Sequence, residues 1–198
     1  MERTRITLES SGWFNGVQQI QSPNFDSRPD GSNVELVVIH AISLPPGEFG
    51  GGDIDRLFKN CLDPTKHSYF EAIHELKVSA HLLIERTGVL KQFVSTTHRA
   101  WHSGDSTFAG RNACNDFSVG IELEGCDDVP FSSEQYAALT DVLAELCVNY
   151  PGVSPAGIVG HCDIAPGRKT DPGPLFDWPM MRTLLQDKLQ RDTGSSLG

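Results

Sequence analysis

The sequence predicts a single α/β domain with a mixed central β-sheet flanked by helices. Three observations carry this expectation. Short runs rich in β-branched residues, Val34 to Ile39 and Ser118 to Glu124, have strand length rather than helix length. Arg86-Thr87-Gly88 supplies tight-turn chemistry between two further apolar runs. Two stretches, 132–150 and 177–189, repeat apolar residues at helical spacing. A hairpin set among segments separated by helices and long loops makes the sheet mixed rather than all-parallel.

Taken in order, Val34 to Ile39 reads as a buried strand that delivers His40 at its C-terminal end. Ala41 to Gly52 is a loop with prolines at 45 and 46 and glycines at 47, 50, 51 and 52, and stiff segments with hinges beside His40 suggest a gate. Asp53 is expected to cap a short helix carrying Ile54, Leu57 and Phe58 on one face. Val78 to Glu85 and Val89 to Val94 form the arms of the hairpin, and Gly157 to His161 is a short strand ending on a second histidine. Ser132 with Gln135 three residues on resembles a capping box. It opens a helix whose stripe includes Tyr136, Leu139, Leu143 and Leu146 and which Pro151-Gly152 stops. Asp177 caps the last helix, with Trp178, Met181, Leu184, Leu185 and Leu189 facing inward. These elements set a domain over 12–189, an N-terminal extension over 1–11 and a flexible C-terminal tail over 190–198.

With 198 residues, 38% of them hydrophobic, the chain is long enough for one good core. A formal net charge of -10 disfavours nucleic acid and anionic membrane surfaces as partners, and favours a small or neutral substrate. No run approaches the ~20 apolar residues of a membrane span, and the start lacks the apolar segment of a signal peptide, so the expected location is cytoplasmic. Five cysteines without paired spacing read as reduced thiols. Nothing in the chain implies an obligate protein partner.

The chemistry concentrates at His40, His161 and Asp171. Two imidazoles and a carboxylate are the three protein ligands of a catalytic zinc site, which leaves the fourth position to water. Both histidines end apolar strands, where open α/β sheets place their sites. Asp171 alone would be a turn-forming residue before proline, but prolines and glycines around it (Pro166, Gly167, Pro172, Gly173, Pro174) fix or free the backbone of its loop at set points. On Gly120-Ile121-Glu122-Leu123-Glu124, alternation sets both carboxylates opposite the apolar residues; either suits a general base, and pattern alone leaves the choice open. Lys169, two residues before Asp171, suits an oxyanion stabiliser. His81 suits a buried hydrogen-bonding role. Trp101 and His102, on a loop between strands, suit either a substrate wall or local packing. Cys162 is expected to point away from the metal.

Several segments together resemble a known family. They are Val38-Ile39-His40, Leu44-Pro45-Pro46-Gly47, Val78-Ser79-Ala80-His81, Arg99-Ala100-Trp101-His102, Cys114-Asn115-Asp116-Phe117 through Gly125, and Gly160-His161 through Lys169-Thr170-Asp171-Pro172-Gly173-Pro174. From about Gly12 to Trp178 the chain is similar to the AmpD family, the cytoplasmic 1,6-anhydro-N-acetylmuramyl-L-alanine amidases of bacterial cell-wall recycling. These belong to the zinc amidases that share a fold with peptidoglycan recognition proteins. The resemblance implies Zn2+ on His40, His161 and Asp171, a proton acceptor at Glu122 rather than Glu124, a transition-state stabiliser at Lys169, and a soluble anhydro-muropeptide substrate. It also exposes departures in the substrate shell, where relatives carry Asn at Ala41, Arg at Lys77 and Arg at Ala113. An ammonium does not reproduce a bidentate guanidinium. Lys77, and Arg111 as a substitute for the arginine missing at 113, are therefore the expected peptide-stem contacts, beside Trp101 and His102. The rival readings are a non-catalytic muropeptide-binding module and an amidase acting on polymeric murein outside the cytoplasm.

Overall fold

The computed structural model describes residues 6–194. In chain order its elements are β1 (Thr7–Leu8), β2 (Phe14–Asn15), β3 (Gln18–Gln19), β4 (Phe25–Ser27), β5 (Leu36–Ile42), α1 (Asp53–Phe58), α2 (Ser68–Ile73), β6 (Leu82–Ile84), β7 (Leu90–Gln92), β8 (His98–Ala100), β9 (Thr107–Phe108), β10 (Arg111–Asn112), β11 (Ser118–Glu124), α3 (Ser133–Asn149), β12 (Ile158–Gly160), α4 (His161–Ile164) and α5 (Trp178–Gly194). Six strands form one sheet in the order β12-β5-β11-β6-β7-β3. The first four are mutually parallel and β7 runs antiparallel to β6, so the sheet is mixed as expected.

The two central strands read as nearly continuous apolar runs because both of their faces are covered. Val37 and Ile39 of β5, with Val119, Ile121 and Leu123 of β11, pack under Leu139 and Leu143 of α3 and Met181 and Leu185 of α5. On the other face Leu36 and Val38 of β5 pack with Cys114, Phe117 and Ile164, and Ile42 and Leu83 border a further cluster that includes Leu57 and Phe58 of α1, Phe70 of α2 and Phe93. Truncating a fully buried leucine such as Leu139 would cost about 2–5 kcal/mol, which is why the α3 stripe is apolar. Alternation then dictates the polar layout. If Ile39 and Ile121 face α3, His40 and Glu122 must face the opposite side.

The α3 capping box forms as expected. Ser132 Oγ accepts from the Gln135 N–H at 3.1 Å, and the Gln135 side chain accepts from the Ser132 N–H at 3.1 Å. Asp177 Oδ1 likewise accepts from the Met180 N–H at 2.8 Å at the start of α5. Asp53 differs from expectation: it is the first residue of α1, its carboxylate is bound to Arg56 at 2.6 Å, and the preceding residue is Gly52 in the left-handed region. The hairpin arms are shorter than the apolar runs. The Ser79 N–H turns to the Trp101 carbonyl and the His81 N–H to the Gly120 carbonyl before β6 begins.

Both domain bounds shift. Thr7 and Leu8 pair with Asn15 and Phe14, and Ile6 and Leu8 pack on the main core, so the described part of 1–11 belongs to the domain. The last helix runs to Gly194 instead of ending at 189, since nothing between 190 and 193 breaks a helix. The remainder of each expected terminal segment, 1–5 and 195–198, lies outside the described residues. Among the described residues no helix is long and apolar enough to cross a membrane.

Candidate active site

His40 sits on β5 between Ile39 and Ala41, buried, with its ring turned away from the α3 face. His161 opens the short helix α4 directly after β12, so the expected strand ends one residue earlier, at Gly160. Asp171 returns at the end of the next loop, where its carbonyl accepts from the Cys162 N–H at 2.9 Å and closes the loop on itself. Gly160 permits this closure, because a Cβ there would stand 2.8 Å from Pro172 Cδ.

These three residues meet. His40 Nδ1 lies 2.9 Å from His161 Nδ1 and 3.2 Å from Asp171 Oδ2, and His161 Nδ1 lies 3.0 Å from the same oxygen. His161 Nε2 donates to the Ser103 carbonyl at 3.1 Å, which in the neutral ring leaves Nδ1 with a free lone pair. An arrangement of two ring nitrogens and a carboxylate oxygen aimed at one point calls for a cation between them. Zinc bonds of 2.0–2.1 Å at tetrahedral angles would set neighbouring ligand atoms about 3.3 Å apart, close to the observed spacing. The donor set therefore fits a metal ion, and it is a His-His-Asp group capable of holding one.

The electrostatics agree with that use. Burial holds His40 down to about 4 despite the opposing Asp171, so its imidazole is neutral near pH 7. Burial works against ionisation of Asp171 too, but the two imidazoles prevail and keep it below the usual carboxylate range. Glu122 lies opposite His40 in the pairing of β11 with β5. Burial, with Asp171 adding to it and Lys169 opposing, pushes its carboxyl well above the usual range. Its Oε2 is buried without a hydrogen-bond partner. An acceptor held ready beside a metal-binding group is the environment of a general base.

His40, Glu122, His161, Lys169 and Asp171 all line one open groove of ≈ 580 Å³. Trp101 lines it too, as do Tyr69 and Leu76 from α2 and the segment after it. Lys169 is exposed at its edge. Glu124, the alternative to Glu122, is buried elsewhere: its two oxygens accept from the Gly50 N–H at 2.6 Å and the Arg86 N–H at 3.1 Å. The loop expected to gate the groove is thus fastened near its far end.

The remaining expected contacts divide. Lys77 is exposed between Leu76 and Val78, which line the groove, but does not line it itself. Arg111 is not at the groove. It pairs with Glu35 at 2.6 Å and lies over the Phe117 ring at 3.9 Å beside a separate cavity near the start of β5, so it cannot substitute for an arginine at 113. His102 borders the groove, yet both of its ring nitrogens are engaged by protein: Nδ1 with His40 Nε2 at 2.9 Å and Nε2 with Ser118 Oγ at 3.2 Å. Of the two roles open to it, a wall is the minor one. His81 is the buried hydrogen-bonding residue expected, accepting from the Gly120 N–H at 3.0 Å and donating to the His98 carbonyl at 3.0 Å. Ser103, Asn115 and Arg168 escaped sequence reading. Arg168 donates to the Ser103 carbonyl at 2.8 Å, and nothing in its surroundings along the chain marks it as anything but a surface cation.

Residues 30–174 match the N-acetylmuramoyl-L-alanine amidase family. The chain is 50% identical over 178 residues to the 1,6-anhydro-N-acetylmuramyl-L-alanine amidase AmpD of Escherichia coli K12, covering 90% of this chain and 97% of that one. A crystal structure of a selenomethionine AmpD derivative superposes with a TM-score of 0.88 at 50% identity, covering 90% of this chain and 99% of its own. The E. coli amidase AmiD, solved with the substrate anhydro-N-acetylmuramic acid-L-Ala-D-gamma-Glu-L-Lys, superposes at 0.56 with 26% identity, covering 91% of this chain and 65% of its own. On the extent of these matches, the chain belongs to the N-acetylmuramoyl-L-alanine amidase family.

Proposed function

We propose that the protein is a zinc amidase that hydrolyses the amide between the lactyl group of 1,6-anhydro-N-acetylmuramic acid and the L-Ala of its stem peptide, in cytoplasmic peptidoglycan recycling. One observation carries the reading. Three atoms suited to bind a metal converge within 2.9–3.2 Å of one another, with half-buried Glu122, its Oε2 enclosed and unpartnered, directly beside them on the next strand. The match to AmpD over nearly the whole chain supports the choice of substrate.

His40, His161 and Asp171 would hold the metal. When bound, zinc supplies Lewis acidity, which acidifies a water and polarises a carbonyl. Glu122 takes the proton of the attacking water and returns it to the leaving amine of L-Ala. Its raised affinity for a proton suits both halves of that task. Lys169 brings its ammonium to the developing oxyanion from the edge of the groove. Trp101 offers the sugar an apolar face, and Lys77, exposed between the groove-lining Leu76 and Val78, meets the stem peptide from the rim. The domain supporting this chemistry spans the described residues from 6 to 194.

The test is hydrolysis of a soluble anhydro-muropeptide beside intact sacculi, with and without a chelator. Chelator-sensitive release of the peptide from the soluble substrate alone is the expected result. Release from sacculi at a comparable rate would replace the recycling role with one on polymeric murein. Binding without release would make the chain a recognition module. Fractionation of cells expressing the protein checks the location.

A further inference from the structure

His102 and Ser103 are consecutive, and each engages the outer nitrogen of a different proposed metal ligand. His102 Nδ1 lies 2.9 Å from His40 Nε2, while the Ser103 carbonyl lies 3.1 Å from His161 Nε2. Both are fixed from behind by one side chain: Asn115 Oδ1 accepts from the His102 N–H at 3.2 Å, the Ser103 N–H at 2.9 Å and Ser103 Oγ at 2.8 Å. The His102 ring lies against the backbone of Gly120, where a Cβ would stand 2.4 Å from Cγ, so β11 carries a glycine to admit it.

We infer that the His102–Ser103 pair is the outer brace of the metal site, with His102 a positioning residue that accepts the His40 Nε2 proton and so turns the His40 Nδ1 lone pair toward the metal. A neutral imidazole has one N–H, and fixing it on Nε2 frees Nδ1. For His161 the acceptor is a carbonyl, which can only accept. For His40 the acceptor is another imidazole, whose own proton then goes to Ser118 Oγ at 3.2 Å. The proton order runs outward from His40 through His102 to Ser118, and a metal on His40 Nδ1 selects that direction. Hydrogen bonds of this kind set ligand orientation, and losing one typically costs about 10- to 100-fold in metal affinity.

The inference rests on the zinc reading proposed above and is tested by zinc affinity rather than turnover. Competition with a chromophoric chelator would compare the full chain with His102→Leu, which fills space without an acceptor, and with His102→Asn, whose amide oxygen can stand in for Nδ1. The expected result is about 10- to 100-fold weaker zinc binding for His102→Leu, with most of the loss recovered in His102→Asn. Melting of the zinc-free proteins reports on folding. Unchanged affinity in His102→Leu overturns the brace, and so does an Asn variant as weak as the Leu variant, since packing alone would then explain the site. If His102→Leu fails to fold, His102→Asn decides: near-native affinity supports the brace, and the full loss overturns it. A wild-type protein that binds no zinc overturns the metal reading itself and this inference with it. Tight wild-type binding beside an indifferent Leu variant overturns the brace alone.

Discussion

Glu122 stands directly beside His40 in the register of two adjacent parallel strands, so the spacing of the proposed base and the proposed metal ligand is set by a backbone ladder and not by a loop. Replacing Glu122 with Gln should therefore leave zinc content intact while turnover falls by about 10²- to 10⁴-fold. Metal analysis alongside steady-state kinetics checks this. A Gln variant that turns over normally would remove Glu122 from the mechanism.

The same carboxyl has a pH signature in the zinc-free protein. Its folded pKa is raised by burial, so between the ordinary carboxylate value and the raised one the folded state holds more protons than the unfolded state. Stability from this group is present at low pH and lost as pH rises through the folded pKa. Glu122→Gln should thus gain melting temperature relative to wild type as pH increases. A difference that stays flat with pH would contradict the assigned burial.

Replacing His40, His161 or Asp171 singly with Ala should abolish both zinc retention and hydrolysis, because each is one of three proposed protein ligands and a catalytic zinc site leaves only the fourth position to water. Full zinc occupancy in all three variants would sink the ligand assignment.

Lys169 is exposed at the groove edge and takes no part in the ligand triangle. Lys169→Ala should keep zinc and lower kcat by more than it raises KM, as expected for a contact made chiefly in the transition state. A pure KM effect would recast Lys169 as a ground-state substrate contact.

Glu124 ties the loop after β5 to the β6–β7 turn through the Gly50 and Arg86 N–H groups. Glu124→Ala leaves two donors without their acceptor and should lower stability by about 1–3 kcal/mol or more, with zinc retained. If the loop governs entry, kcat and KM should shift together in this variant. Unchanged kinetics in a destabilised protein would leave the loop a connector. This substitution tests gating more cleanly than Gly50→Ala, since Gly50 has φ +80° and alanine there would be strained in any case.

Elements stabilised by their own sequence were readable. The α3 capping box, the seven-residue strand Ser118–Glu124 and the turn at Gly88 each carry their cause locally. Strands β1 to β4 did not show, because two or three residues have no periodicity to detect; β1 and β2 pair only with each other, and β3 and β4 exist only through partners far along the chain. At the site, ligand-type residues on stiff segments stood out. Arg111 misled because two residues' separation along a chain says nothing about which end of β5 a side chain reaches. His102 was ambiguous for the same reason: the contact that defines it comes from His40, 62 positions away. Glu122 and Glu124 looked alike because the difference between them is what lies across the sheet.

The loop that bears His161 and Asp171 is pinched at its base by the Cys162 N–H bond to the Asp171 carbonyl. A tether at the neck fixes the spacing of the two proposed ligands, while Arg168 inside the loop reaches the same Ser103 carbonyl that His161 uses. The exposed tip at Pro166 and Gly167 can then vary without spreading the two, whereas Asp163 and Arg168 cannot, since their side chains hold the Gly160 N–H and the Ser103 carbonyl. If the proposed roles hold, the grip on zinc and the contact to the oxyanion are separately adjustable at the tip of one short stretch, and relatives that differ only there should differ little in their hold on zinc.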